Sequence, residues 1–188
     1  MATTLQEGQI LIPNARLSFP KLWTAEHYKN RTDTAKRFGC QILLPKSDEA
    51  TTAKINKRIH HLIKTELDGV KPKSDNMCIK DGDGENGKPE TAGCWVISAN
   101  RAEKQGRPQI IDRKRQALVP DDGKPYAGCW CNFLISIYVP KGRDAQVCAS
   151  LEVVQFTKDD EPFGAPRVDV DAVMPELADD DEDDDMPL

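Results

Sequence analysis

Aromatic rings and cationic side chains recur together along this 188-residue chain, in a pattern suited to holding a flexible polyanion by stacking and charge. The clearest case runs from Tyr126 to Val139, which reads as the longest strand. Its odd positions (Ala127, Cys129, Cys131, Phe133, Ile135, Ile137, Val139) are all apolar, and its even positions are Tyr126, Gly128, Trp130, Asn132, Leu134, Ser136 and Tyr138. A period of two sends alternate side chains to opposite faces, so the first set faces a core and the second presents three large rings among polar residues. An unstacked base resting on such a ring contributes about 1–3 kcal/mol, and adjacent Lys or Arg hold phosphates by charge. Phe19, Trp23, Phe38 and Trp95 supply further rings, and Lys36, Arg37, Arg101, Arg107, Arg113, Lys114 and Arg115 supply charge. With Tyr126, Trp130 and Tyr138 these are the candidate nucleic-acid-binding residues. Any single ring could instead pack under a loop or helix; as a set, their interleaving with basic loops favours binding.

Other patterns suggest different chemistry and fail on context. Gly82-Asp83-Gly84-Glu85-Asn86-Gly87 spells G-x-G-x-x-G, but no strand-to-helix junction flanks it and its acids repel phosphate. Asp81, Asp83 and Glu85 alternate like the start of a calcium loop, yet Ala92 stands at the twelfth position and the glycines fall in the wrong places. Cys129 and Cys131 lack the paired C-x-x-C spacing of a structural zinc site. His60-His61 has no evident acid–base partner, and no Ser-His-Asp or Cys-His arrangement has local context. Only Asp112, Asp121 and Asp122 could serve a metal-dependent nuclease outside the acidic loops and tail. The expectation is therefore no catalytic residue, no metal, no cofactor and no enzyme. Two alternatives stay open: a metal-dependent nuclease or recombination enzyme, and an acidic DNA-mimicking interaction protein.

These side chains need elements to position them. A short apolar run, Ile10-Leu11-Ile12-Pro13, precedes a stretch in which Pro20 is expected to stop a strand and make a turn. Thr24 to Lys36 reads as a polar, basic loop, and Phe38 to Leu44 as a strand closed by Pro45. Ser47-Asp48-Glu49 offers a capping hydroxyl followed by acids, a helix start. Ile55, Ile59, Leu62, Ile63 and Leu67 then share one helical face, and Gly69 is a plausible stop. Residues 69–93 are rich in Gly, Pro and charge and read as loop. Strands are expected over Cys94–Ala99, Pro108–Asp112 and Val147–Phe156. Five or six strands with one helix favour a small β-barrel over a sandwich.

The charge is divided. Overall there are 26 Lys and Arg against 31 Asp and Glu, net −5. From Asp169 onward ten acids occur with no Lys or Arg, so residues 1–168 carry 26 basic and 21 acidic side chains, net +5. The seven consecutive acids Asp179–Asp185 cannot pack into a core and read as a solvated, disordered tail. They lead into an apolar tip, Met186-Pro187-Leu188. A basic body with an acidic arm is the pattern of a polyanion binder carrying its own competitor. No stretch reaches the length of a membrane span, and the N-terminus lacks the charged and apolar regions of an export signal. The six cysteines, mostly inside apolar runs, read as reduced thiols. The expected setting is cytoplasmic, as monomer or homodimer, with no membrane partner.

Two resemblances accompany these residues. The ending Asp183-Asp184-Asp185-Met186-Pro187-Leu188 resembles the C-terminus of bacterial single-stranded-DNA-binding proteins, in which acids precede a short Ile-Pro-Phe tip. Here Met186 and Leu188 replace the isoleucine and phenylalanine. The resemblance implies a tail that docks on replication or recombination proteins. More widely, Arg16-Leu17-Ser18-Phe19-Pro20-Lys21-Leu22-Trp23, Ile42-Leu43-Leu44-Pro45-Lys46, Lys80-Asp81-Gly82-Asp83, Arg107-Pro108-Gln109-Ile110-Ile111-Asp112 and Tyr126-Ala127-Gly128-Cys129-Trp130 occur in that order. Together they resemble a family of bacteriophage single-stranded-DNA-binding proteins with an OB-fold. That implies a mainly β, OB-fold-like barrel of five or six strands over residues 1–165, with long loops, an acidic tail over 166–188, and sequence-tolerant binding of single-stranded DNA during replication, recombination or repair in a bacterial host cell.

Overall fold

The structure, a computed structural model of the chain, describes residues 4–28, 31–142, 144–164 and 173–175. Ile10, Ile12, Ala15, Leu17 and Leu22 are buried along one long strand, β1 (Gln9–Glu26, 18 residues), which organises the rest. β1 serves two neighbours. Its first half pairs antiparallel with β6 (Trp130–Tyr138) and its second with β2 (Arg37–Pro45). Asn14 and Phe19 take positive φ (47° and 45°), and the register shifts beside each. Bulges of this kind bend a strand and increase its twist, which lets one strand wrap a barrel. Pro20 therefore does not stop the strand, as the sequence suggested. It falls inside the shift between Ser18 and Lys21, where the ladder needs no donor from it.

Five strands close on themselves. β2 pairs with β4 (Cys94–Ala102), β4 with β7 (Cys148–Lys158), β7 with β6, and β6 returns to β1. The closing seam is short and parallel, only Ala99 with Ala149 and Asn100 with Ser150. Two three-residue strands fill the gaps beside it, β3 (Ile79–Asp81) against β4 and β5 (Gln109–Ile111) against β7. The result is a closed five-stranded barrel of OB type, as expected. β3 was not anticipated within residues 69–93, because three residues carry too little alternation to register.

The alternation on β6 holds. Cys131, Phe133, Ile135 and Ile137 are buried, and Asn132, Leu134 and Ser136 lie on the half-exposed outer face. The strand is shorter than the Tyr126–Val139 pattern implied, and β1 is the longest instead. Residues 126–129 form a turn, in which Cys129 N–H donates to Tyr126 O (3.2 Å) and Gly128 takes φ 105°. All six cysteines are free thiols; Cys129 and Cys131 lie in the core with their Sγ atoms 3.6 Å apart.

Helix α1 (Glu49–Glu66) buries Thr51, Ile55, Ile59 and Leu62, with Ile63 and Leu67 packed at the margin of the core. It lies where β1 begins and β6 ends, with Arg58 reaching Ile137 O. Its cap is Asp48 rather than Ser47: the carboxylate accepts from Thr51 N–H (3.0 Å). At the other end Asp68 and Gly69 take left-handed φ and Gly69 N–H returns to Ile63 O (2.9 Å), so the glycine stop is real. The Thr51 hydroxyl and N–H hold the Asp48 carboxyl below the usual carboxylate range. A depressed folded pKa contributes stability that is present above the unfolded value and lost as pH falls through the folded one. Asp48→Ala is thus expected to lose about 1 kcal/mol at neutral pH. In urea unfolding at successively lower pH, the gap from the parent should narrow as the carboxylate protonates. A gap unchanged in strong acid contradicts this cap.

Candidate nucleic-acid interface

The register of β2 against β4 sorts their side chains into two faces. Phe38, Cys40, Ile42 and Leu44 are buried with Ile97 and Ala99. Between them, Arg37, Gly39 and Gln41 stand outward beside Ala102, Asn100 and Ser98. Gly39 leaves no room for a side chain: a Cβ there would meet Asn100 Oδ1 at 2.5 Å and Ala99 O at 2.8 Å. This polar floor belongs to a groove of about 720 Å³. One wall comes from the second half of β1 (Phe19, Lys21, Glu26) and the segment after it (Tyr28, Thr34, Ala35). The other comes from the end of β6 and the loop beyond (Tyr138, Pro140, Gln146).

Three rings open onto this groove. Phe19 is 51% exposed, Tyr28 62% and Tyr138 37%. The left-handed turn at Phe19 breaks the alternation that buries Ala15 and Leu17 and leaves its ring facing out. Lys88 Nζ stands 4.3 Å from the Phe19 ring centroid, which puts a cation beside a stacking surface. The groove's other charges are largely paired: Lys21 with Glu26 (2.6 Å), Asp33 with Arg31 (2.8 Å) and Asp75 with Lys80 (3.3 Å). The Arg31 guanidinium holds the Asp33 carboxyl below its ordinary range. Arg37 has no ion-pair partner among the described residues and is the cation available to a phosphate.

The fourteen residues singled out from the sequence divide accordingly. Phe19, Arg37 and Tyr138 line the groove, and Lys36 is exposed immediately beside Arg37. Phe38 points into the barrel and is 8% exposed, so it has no face to offer a base. Trp23 is half-buried with the Arg107 guanidinium 5.0 Å over its ring. Trp95 is half-buried under Lys46 (4.9 Å), which is itself held by Asp81 and Asp83. Arg101 reaches Glu152 (3.2 Å) and the carbonyls of Gln105 and Gly106, where it staples a loop. Arg113, Lys114 and Arg115 are exposed on a turn closed by Asp112, whose carboxylate accepts from Lys114 and Gln116 N–H. They lie outside the groove, and Asp112 is committed to the turn. The tail residues Asp183, Asp184, Asp185, Met186, Pro187 and Leu188 lie outside the described residues.

Tyr126 and Trp130 belong to a second cluster. Arg16 on β1 sits 5.7 Å from the Trp130 ring and 4.3 Å from the Phe163 ring. Trp130 Nε1–H donates to Asp160 (2.6 Å), Tyr126 OH donates to Asp159 (3.0 Å), and Lys124 pairs with Asp159 (2.8 Å). Lys124, then the Tyr126 hydroxyl, keep the Asp159 carboxyl below its usual range. The Glu161 N–H and the Trp130 indole do the same for Asp160.

Groove residues outside the sequence-derived set include Lys21, Tyr28, Gly39, Gln41, Ser98 and Asn100. The one sequence signal among them is Gly39, a glycine inside an apolar strand, which marks close approach by a backbone or ligand. Among the described residues no cluster of His, Cys, Asp or Glu could hold a metal ion, and no helix is long and apolar enough to cross a membrane.

Comparison with known proteins bears on the fold and the family. Protein p50 of Acyrthosiphon pisum secondary endosymbiont phage 1 is 27% identical over 164 residues, 82% of this chain and 86% of that one. The single-stranded DNA-binding protein from bacteriophage Enc34, solved in complex with single-stranded DNA, superposes with a TM-score of 0.75 at 28% identity, covering 87% of this chain and 97% of that one. The single-stranded DNA-binding protein gp2.5 of bacteriophage T7 shares the fold, with a TM-score of 0.55 at 14% identity over 90% and 96% of the two chains. The family described as "Enterobacter phage Enc34, ssDNA-binding protein" matches residues 8–187. With the barrel closed as an OB-fold and nearly the whole length matched, this chain belongs to the Enc34 family of phage single-stranded-DNA-binding proteins.

Proposed function

We propose that the chain binds single-stranded DNA in the groove over β1, β2 and β4, with little sequence preference and without catalysis. It would shield exposed strands during phage DNA replication, recombination or repair in the bacterial cytoplasm. One observation carries the reading: exposed rings at Phe19, Tyr28 and Tyr138 flank a polar floor beside Arg37, which has no ion-pair partner among the described residues, on the outer face of the second and third barrel strands, where OB-folds take oligonucleotides. Rings accept any base, because every base has a π-face, and Gln41, Ser98 and Asn100 can satisfy base edges of either polarity. The relative solved with single-stranded DNA supports the same reading. The Asp179–Leu188 tail is assigned two roles: recruitment of replication or recombination proteins through Met186-Pro187-Leu188, and weak competition for the cationic groove in the free protein.

A gel shift with single- and double-stranded oligonucleotides, with and without magnesium, tests the reading. Retention of the single strand, uncleaved in magnesium, is expected. Affinity should fall with salt at a log–log slope of about −0.7 per phosphate contacted. Magnesium-dependent cleavage would favour a nuclease, and no retention at low salt would leave only an acidic interaction protein.

A further inference from the structure

The segment that follows β7 is bonded across the Trp130 cluster by complementary chemistry. Asp159 and Asp160 meet Lys124, the Tyr126 hydroxyl and the Trp130 indole, and Phe163 lies against the Arg16 guanidinium. The backbone follows suit. Phe163 N–H donates to Ala127 O (3.0 Å), Arg16 donates to Glu161 O (2.8 Å), and a Cβ on Gly128 would strike Glu161 O at 2.5 Å. Two anionic groups and one flat ring, on a flexible backbone, are what a short stretch of single-stranded nucleic acid would present to these partners. Arg16 stands three residues before Phe19 on β1, about 10 Å along the strand at about 3.3 Å per residue, within reach of a nucleic-acid strand bound at Phe19. The contacts are superficial: side-chain exposure is 58% for Asp159, 39% for Lys124 and Asp160, and 25% for Arg16. Ion pairs at such exposure hold weakly and yield to a stronger polyanion.

We propose that Arg16, Lys124, Tyr126 and Trp130 form a second subsite for single-stranded nucleic acid, occupied in the free protein by residues 159–163 acting as a displaceable strap. This rests on the single-stranded-DNA reading and adds a place to it. DNA reaching past Phe19 lifts the strap, puts phosphates where the carboxylates stood, and stacks a base on Trp130. The subsite is distinct from the Asp179–Asp185 run, so it persists when that run is removed.

The test uses the full chain and Phe163→Ala, which loosens the strap without changing charge. In titrations with a long oligo-dT at low salt, Phe163→Ala is expected to bind about three- to tenfold tighter than the parent, an effect at the low end of base–aromatic stacking. Trp130→Ala alone should weaken binding less than it does in the Phe163→Ala background, because in the parent part of the stacking is offset by lifting the strap, and in that background it should abolish the gain. Arg16→Gln replaces Trp130→Ala in the comparison if the latter does not fold by circular dichroism. Equal affinity of Phe163→Ala and parent, or a gain that survives loss of Trp130 or Arg16, overturns the proposal. If the parent itself ignores oligo-dT, the function is wrong rather than the subsite.

Discussion

Replacing Phe19 and Tyr138 together by alanine is expected to weaken binding of oligo-dT by about 2–6 kcal/mol, at about 1–3 kcal/mol for each lost base platform. The magnitude follows from their position. Both rings open onto the groove and neither belongs to the buried core, so their loss removes stacking without opening a cavity. The midpoint of urea unfolding should therefore stay close to that of the parent. Phe38 provides the contrast. It is two residues from Cys40 on the inward face of β2, and Phe38→Ala should destabilise the fold by about 3–5 kcal/mol while the folded fraction binds DNA normally. Titrations of the three proteins, followed by anisotropy of a labelled oligonucleotide, separate the roles. Parent-like binding by the Phe19/Tyr138 double variant removes stacking from the groove.

Deleting residues 179–188 is the second large effect. The tail carries seven acids and the chain up to residue 168 has a net charge of +5, so on the proposed reading the tethered acids compete with DNA at high local concentration. Removing it should tighten single-stranded DNA binding by about tenfold in dilute buffer, within the range of ordinary coupling free energies. The gain should shrink to within about twofold near 1 M salt, where the Debye length is about 3 Å and opposed charges no longer see each other. A gain independent of salt would place the tail's effect in the apolar tip instead. No gain at low salt would remove the competition altogether.

Much of the scaffold was legible because its signals are periodic. The odd positions of β6 form a core face without exception, and the Ile55–Ile59–Leu62 spacing belongs only to a helix. Pro20 reads as a strand end in the sequence because a proline inside a bulge and a proline at a strand end look alike in one dimension. What separates them is the register against β2, a contact about twenty residues away. The site was legible by residue type and much less by direction. Phe38-x-Cys40-x-Ile42-x-Leu44 shows the alternation that turns Phe38 inward, but the apolar Leu43 blurs it. Trp95 and Arg101 share the inward face of β4 for the same reason, shown by the strand's pairing with β2. Trp130 does lie on the half-exposed face of β6, while Tyr126 packs at the margin of the core in the turn before it. Their occupation by Asp159 and Asp160 depends on bonds spanning 30 residues or more, beyond any local pattern. The floor of the groove is built from Gly, Gln, Ser and Asn, which attract no notice until the barrel sets them beneath three rings.

The most direct measurement is photo-cross-linking of the full-length protein to oligo-dT carrying 5-bromodeoxyuridine, with the attached residues mapped by mass spectrometry. Bases stacked in the groove should mark Phe19, Tyr28 and Tyr138, leaving the α1 surface, including His60 and His61, unmarked. Cross-links confined to α1 or to the Arg113–Arg115 turn, with none at Phe19 or Tyr138, would contradict the groove as the place where single-stranded DNA is held.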